Sequence, residues 1–394
     1  FVTHSHIDHI GRIAKLVKDG FNGVIYSTIP SRDIAEIMLK DSLKVFGMGT
    51  GERKLPPLYG KRDVEKTMSL WKTLSYGEEV VVVGGFKVRL RNSGHVLGSS
   101  MVEVVYNGKK IVFTGDLGGS NDPILRDTEI VKDADYLVME SVYGDRVHED
   151  VNERRRKLKS IIEETVSKKG VLMIPAFSLE RTQHVLFDLN ELVESSKIPV
   201  MPIFLDSPLA IKLTEVYEKY TDFFNDKAKA IIASGDDIFK FTNLHMTLTP
   251  EESIAISRSV NPKIIIAGSG MSTGGRIIFH EKKYLSNPNN TLLMVGYQAA
   301  GTPGREIQEG AKKVTLRKEG ISVNARIEMI TSYSAHKDTD ELLDFVASSA
   351  DTLKKVFVVM GEPSTALYFS QRIKDYTGVQ AIAPEEGQQV ELEF

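Results

Sequence analysis

Within Thr3-His4-Ser5-His6-Ile7-Asp8-His9 the chain concentrates imidazoles and a carboxylate, the densest metal-binding chemistry in its 394 residues. His4 and His6 are two apart, so on an extended segment both rings point to one face, as a shared ion requires. Asp8 and His9 fall where the chain turns into a helix, written as Ile10, Ile13, Ala14 and Val17 with Gly20 as its stop. Imidazole nitrogen together with carboxylate oxygen suits Zn2+. The ligands form two sets, His4 and His6 for one ion and Asp8 and His9 for a second beside it. The alternative is an exposed turn rich in histidine by chance.

Composition bounds the setting. With 41% hydrophobic and 26% charged residues this is an ordinary globular chain, long enough for two or three domains. It has no cysteine, so disulfides and thiolate sites are excluded and any metal must be held by His, Asp and Glu. No apolar run is long enough to cross a bilayer and no secretory pattern is present, so a cytoplasmic protein without a membrane partner is expected. The net charge of −3 gives no global attraction to polyanions, and a nucleic-acid partner would need a local basic groove. The chain opens on Phe1, only two residues ahead of Thr3, and amino-terminal strands of a sheet are expected to be missing from it.

The elements that must position the motif follow in order. Val24 to Thr28 reads as a strand and Pro30 to Phe46 as a helix with apolar positions at Ile34, Ile37 and Met38. A loop with Gly47, Gly49, Gly51, Pro56, Pro57 and Gly60 is a lid or a plain surface connection. Two hairpins come next, around Gly84-Gly85 and around Asn107-Gly108, the latter suited to a type I′ turn. They deliver His95, in Ser93-Gly94-His95, and Asp116, after Thr114-Gly115, both at strand ends where flanking glycines permit close backbone approach. The buried strand from Tyr136 ends in Glu140, which is a site residue or a structural one on equal grounds.

From about Asp145 helices and strands alternate: helices at Val151–Val166, Leu179–Val193, Leu209–Tyr220, Pro250–Ser257 and Ile277–Tyr284, strands at Val171–Phe177, Ile203–Asp206, Lys263–Ala267 and Thr291–Tyr297. Such alternation implies βαβ units and a parallel sheet. Gly268-Ser269-Gly270-Met271-Ser272-Thr273-Gly274-Gly275-Arg276 follows a strand and precedes a helix. Its backbone N–H groups, with Arg276 at hand, favour an anion such as phosphate; a tight structural turn is the equal alternative. The chain closes with Ser334-Ala335-His336, a helix from Asp338, a strand at Lys355–Val359 and a helix near Thr365–Lys374.

Taken together, His4, His6, Asp8, His9, His95, Asp116 and His336 resemble the ligand set of the metallo-β-lactamase superfamily. The βαβ block followed by Ser334-Ala335-His336 is similar to its β-CASP branch of nucleases, with further likeness in Met139-Glu140-Ser141-Val142-Tyr143-Gly144, Leu205-Asp206-Ser207-Pro208-Leu209-Ala210 and Gly296-Tyr297-Gln298-Ala299-Ala300-Gly301-Thr302. The resemblance covers essentially the whole chain and is nearest to prokaryotic relatives of the cleavage and polyadenylation endonuclease subunit. It implies an α/β fold: an αββα sandwich in residues 1–145 and 303–394, with a parallel-sheet β-CASP domain inserted at 146–302. It also implies two zinc ions, His4, His6 and His95 on one, Asp8, His9 and His336 on the other and Asp116 between them. Such a pair of ions activates water against a phosphodiester. Asp8 would accept the water's proton, and Glu140 would orient His336 or a neighbouring acid. Histidine at the last motif, His336, is the mark of RNA-acting members, so single-stranded RNA is the implied partner; a homodimer is left open. Arg181, Ser269, Gly270, Arg276, His280 and Arg305 are the residues expected to meet substrate.

The chain departs from the pattern in its missing opening strands, in having no histidine between His280 and His336, where Arg305 and Glu306 stand, and in Met360 before Gly361-Glu362. A hydrolase of a small ester or amide would use the same metals but would not need the insertion of roughly 150 residues. A non-catalytic RNA-binding paralogue would have no use for a complete ligand set, which is costly to bury.

Overall fold

The structure is a computed structural model that describes residues 1–48 and 57–393. The stretch at 49–56, central to the loop considered as a lid, lies outside the described residues. Two compact units form: Phe1–Val147, Phe223–Asn225 and Ala335–Phe394 make the first, His148–Asp222 and Asp226–Ser334 the second.

The first unit is built on a seven-stranded mixed sheet. Its order is Ala381–Ile382, Lys355–Val358, Tyr136–Met139, Lys109–Phe113, Ser100–Tyr106, Lys87–Asn92 and Glu79–Val81. Alternation along the strands feeds two cores. Met101, Val112, Leu137 and Val356 point to one face and bury Leu342, Val346, Phe369 and Ile373 of the helices Thr339–Ala347 and Pro363–Thr377. Val88, Leu90 and Val102 point to the other, against Leu74 and Tyr26. Tyr26 belongs to the strand Ile25–Ser27, which pairs in parallel with Trp71–Thr73. That small sheet shares a core with the helices Ile13–Lys18, Ile29–Met48 and Lys61–Ser69 through Ala14, Val17, Ala35, Leu39 and Val64. Helix, sheet, sheet and helix thus stack as the expected αββα sandwich. The Asn107-Gly108 turn has both residues at positive φ, 47° and 77°, as a type I′ hairpin requires. The helix expected from Ile10 to Gly20 is instead broken into Ile7–Ile10 and Ile13–Lys18, because Arg12, at φ −107° and ψ 1°, leaves helical geometry.

The second unit holds a six-stranded, all-parallel sheet in the order Leu244–Met246, Ile203–Leu205, Lys263–Ala267, Val171–Pro175, Thr291–Met294 and Arg326–Met329. Lys263–Ala267 and Val171–Pro175 are buried along their whole length, which is why they read as apolar runs rather than as alternation. The two edge strands escaped the sequence reading because half-exposed edges carry charge and polar residues, as in Arg326-Ile327-Glu328-Met329. Pairing of Arg326–Met329 with Thr291–Met294 carries the second unit on to Ser334, whereas the sequence placed the return to the first domain at 303.

Candidate metal centre

The first-unit ligands sit on segments that the backbone ties to one another. His6 is extended, with φ −62° and ψ 147°, before the helix Ile7–Ile10 carries Asp8 and His9. Ser100 N donates to Thr3 O at 2.7 Å, fastening this segment to the main sheet. The His95 turn closes on Ser99, whose Oγ accepts from His95 N at 2.9 Å and Val96 N at 3.1 Å. Gly118 N donates to Ser93 O at 2.8 Å, Gly119 N to Ala335 O at 3.0 Å and Lys337 N to Leu117 O at 2.9 Å. These bonds join the loops of His95, Asp116 and His336 into one frame. At Gly118 a Cβ would stand 1.9 Å from Gly94 O, so only glycine permits the approach.

Within that frame four ligand atoms converge. His4 Nε2 and His95 Nε2 each stand 3.2 Å from His6 Nδ1, and 3.4 Å and 3.3 Å from Asp116 Oδ2. A tetrahedral zinc with bonds of about 2.0–2.1 Å spaces its ligand atoms by about 3.3 Å. The spacing therefore fits an ion shared by His4, His6, His95 and Asp116. Tautomers fit too: His95 Nδ1 lies 3.4 Å from Ala335 O, an acceptor that leaves Nε2 as the lone-pair nitrogen facing the centre.

Burial holds the His4 and His95 imidazoles well below their ordinary pKa and lowers His6 to about 4, all three against the pull of Asp116. Burial would raise the Asp116 carboxyl, but His4, His9 and His95 keep it well below the usual carboxylate range. Neutral imidazoles around an ionised carboxylate are the protonation states that metal binding demands. Asp116 Oδ1 is buried and faces His9 Nε2 across 3.5 Å, a long contact that leaves it available to an ion.

The second set is more open. His9 Nε2 lies 3.5 Å from Asp116 Oδ1 and 3.6 Å from Asp8 Oδ2, while the Asp8 side chain is 76% exposed. Burial works against protonation of His9, but its hydrogen bond and charge interaction with Asp116 raise its pKa above the ordinary value. His336 Nδ1 is 3.1 Å from both Glu140 oxygens, and Glu140 is fully buried. Glu140 Oε1 also accepts from Leu117 N at 2.6 Å, and Oε2 from Val142 N at 3.3 Å. Oxygens or nitrogens of Asp116, Glu140 and His336 lie within 4.8 Å of one another.

The residues expected to meet substrate lie in the second unit, where Arg276, His280, Ser269, Gly270 and Arg305 make contacts within the fold. Arg276 Nη1 donates to Asp206 Oδ1 at 2.7 Å and to Thr247 O at 3.0 Å, and Nη2 to Leu248 O at 2.8 Å. His280, fully buried, places Nε2 2.7 Å from Asp206 Oδ2. Ser269 Oγ accepts from Thr273 N at 3.1 Å and Gly274 N at 3.2 Å, the N–H groups that an anion would have used. At Gly270 a Cβ would meet the Phe177 ring at 2.8 Å, and its carbonyl accepts from Gln298 Nε2 at 2.9 Å. Arg305 Nε donates to Glu309 Oε1 at 2.6 Å, and Arg181 is buried beside Gly296. The Gly-rich stretch is thus a folded turn clamped to Asp206.

Asp206, within Leu205-Asp206-Ser207-Pro208-Leu209-Ala210, carries no local signal of its role. It accepts from Thr247 Oγ1 and Ser253 Oγ, each at 2.6 Å, besides Arg276 and His280. Burial would raise its pKa, but these hydrogen bonds depress it from 3.8 to about 2. The stabilisation is therefore complete above the unfolded value and lost as pH falls through the folded one. Removing a buried charge partner costs about 3 kcal/mol. Asp206→Ala is expected to lower stability by that amount at pH 7 in denaturant titration and to flatten the acid limb between about pH 4 and 2. An unchanged midpoint would reduce the cluster to decoration.

Among the described residues, no helix is long and apolar enough to cross a membrane. The sequence matches the family described as metallo-beta-lactamase superfamily over residues 1–167, Beta-Casp domain over 182–307, and Zn-dependent metallo-hydrolase RNA specificity domain over 320–384. Ribonuclease TTHA0252 of Thermus thermophilus is 34% identical over 93% of this chain and 81% of its own length. RNase aCSPSF2 of Saccharolobus solfataricus is 33% identical over 99% and 74%. Transcription termination factor FttA of Pyrococcus horikoshii is 31% identical over 97% of this chain, which spans 60% of that relative. With a sandwich that carries the His and Asp centre and an inserted unit built on a parallel sheet, the chain belongs to the β-CASP branch of the metallo-β-lactamase superfamily.

Proposed function

We propose that the protein is a zinc-dependent ribonuclease that hydrolyses phosphodiester bonds of single-stranded RNA with two zinc ions, acting in the cytoplasm in RNA processing or decay. The observation that carries the reading is the convergence of His4, His6, His95 and Asp116 at tetrahedral spacing, in a chain whose relatives include proteins named ribonucleases. Bound zinc supplies Lewis acidity and water made acidic enough to react at neutral pH. His4, His6 and His95 would hold one ion and Asp8, His9 and His336 the other, with Asp116, which faces His4, His95 and His9, available to both. Seven ligands exceed what one four-coordinate ion takes. Asp8, exposed beside His9, would accept the proton that such a water gives up. Glu140 would accept a hydrogen bond from His336 Nδ1–H, which keeps the proton on Nδ1 and leaves the Nε2 lone pair free. No protein nucleophile is required.

Incubation with end-labelled RNA and single-stranded DNA, with zinc and with a chelator, tests the reading. RNA cleavage that zinc restores after chelation is expected. Indifference to the chelator would overturn metal dependence, and equal cutting of DNA would overturn the RNA assignment. His336→Ala is expected to retain one equivalent of zinc by elemental analysis and lose the second; two retained equivalents would remove His336 from the ligand set.

A further inference from the structure

The hairpin formed by Lys313–Leu316 and Glu319–Ser322 in the second unit has no part in the function described so far. Val314 and Leu316 bury one face of its first strand in the core, which fixes the hairpin rigidly and leaves Lys313 and Thr315 exposed on the other. Lys312, Lys313, Arg317 and Lys318 are all exposed, and none forms an ion pair among the described residues. Neighbouring cations behave otherwise: Lys282 pairs with Glu319, and Arg305 with Glu309. Residues 312–320 thus hold four cations and one carboxylate, a local +3 on a chain of −3.

Two further features favour a ligand over a chance patch. Arg317 and Lys318 occupy the turn at φ 48° and 70°, left-handed conformations that branched or long side chains adopt only at a steric cost. The first unit meets the same geometry with Asn107-Gly108, so this chain uses the residues best suited to such a turn where the turn alone matters. Gly320 stands opposite Thr315, and a Cβ there would come within 2.4 Å of Lys313 Cε. Glycine therefore gives the Lys313 stem a bed across the hairpin.

We propose that this hairpin is a phosphate-backbone contact for single-stranded RNA, with Arg317 and Lys318 each neutralising one phosphate; the proposal rests on the ribonuclease reading. The absence of exposed aromatic rings among residues 312–320 makes the contact one of charge, independent of base identity. Each neutralised phosphate on a single strand contributes about 0.7 to the slope of log affinity against log salt.

The test measures binding of a nuclease-resistant 2′-O-methyl oligouridylate of about 20 nucleotides to the zinc-loaded protein across a salt series. Arg317→Asn with Lys318→Gly removes both charges while supplying residues that favour the turn, so the thermal midpoint is expected to hold or rise. The salt slope is expected to fall by about 1.4, and affinity at 0.1 M salt by about 25-fold, the two proteins converging towards 1 M. Lys40→Ala, which removes a cation paired with Glu36, is expected to leave the slope alone. If the double variant misfolds, Arg317→Gln with Lys318→Gln makes the same measurement. A wild-type protein that neither binds nor cuts RNA sinks the ribonuclease reading. A wild type that binds, with an unchanged slope in the variant, overturns the hairpin contact alone. Loss of poly-glutamate binding with RNA binding intact also overturns it, in favour of an acidic protein partner.

Discussion

Asp116→Asn is expected to strip the centre of metal and to reduce RNA cleavage by on the order of 10³ or more. Asp116 faces both ligand sets, with Oδ2 3.4 Å from His4 Nε2 and 3.3 Å from His95 Nε2, and Oδ1 3.5 Å from His9 Nε2. Asparagine keeps the size and one oxygen but replaces the other with an NH2 group, which cannot ligate, and it removes the negative charge. A metal's Lewis acidity is worth several kcal/mol at the transition state, and each tenfold in rate corresponds to about 1.36 kcal/mol. Two measurements check the expectation: zinc per chain by elemental analysis, and single-turnover cleavage of labelled RNA. The variant's fold is judged separately, from its unfolding midpoint in chelator relative to wild type in chelator. Full zinc occupancy with wild-type cleavage would show that the carboxylate is not a bridge.

Glu140→Gln is expected to bind RNA almost normally, to hold zinc at His336 more weakly and to cleave about 10–100-fold more slowly, the usual size of a lost partner behind a metal ligand. Both Glu140 oxygens are acceptors: Leu117 N and Val142 N donate one bond to each, and His336 Nδ1 lies 3.1 Å from both. Glutamine has one oxygen for these donors, and its NH2 group is itself a donor. If the NH2 turns to His336, the ring must present Nδ1 as acceptor and carry its proton on Nε2, the nitrogen it would otherwise offer to the metal. The tautomer is therefore the direct readout, by ¹⁵N resonance of the imidazole, alongside single-turnover rates. Wild-type rates with an unchanged tautomer would make Glu140 a structural carboxylate. Unchanged rates with a flipped tautomer would show that His336 does not ligate through Nε2.

How far the sequence went depended on whether a feature was encoded locally. The spacing of His4, His6, Asp8 and His9 pointed to a metal centre because local backbone geometry sets where near neighbours in sequence point, and the fold brings His4 and His6 together with His95 and Asp116. Asn107-Gly108 named its hairpin because few residues take positive φ at both turn positions. The buried central strands, Val171–Pro175 and Lys263–Ala267, were legible from their apolar runs. The polar edge strand Arg326–Met329 was not, since its identity comes from the neighbour it pairs with.

Polar side chains away from the motifs followed the same division. Types and spacing left the Gly-rich stretch with Arg276 as either an anion site or a structural turn, and His280 as a candidate substrate contact, because residue type does not say which partner a side chain finds. The fold brings Asp206, 70 positions before Arg276, to a distance of 2.7 Å, and a buried carboxylate with four donors binds them more tightly than solvent does. Ser269 turns its hydroxyl back onto Thr273 N and Gly274 N. What the sequence by itself determined was the chemistry available, imidazoles and carboxylates in numbers and spacings that suit zinc. Only the tertiary structure decided which atoms face one another, because contacts such as Glu140 with His336 span 196 positions and depend on packing rather than on local order.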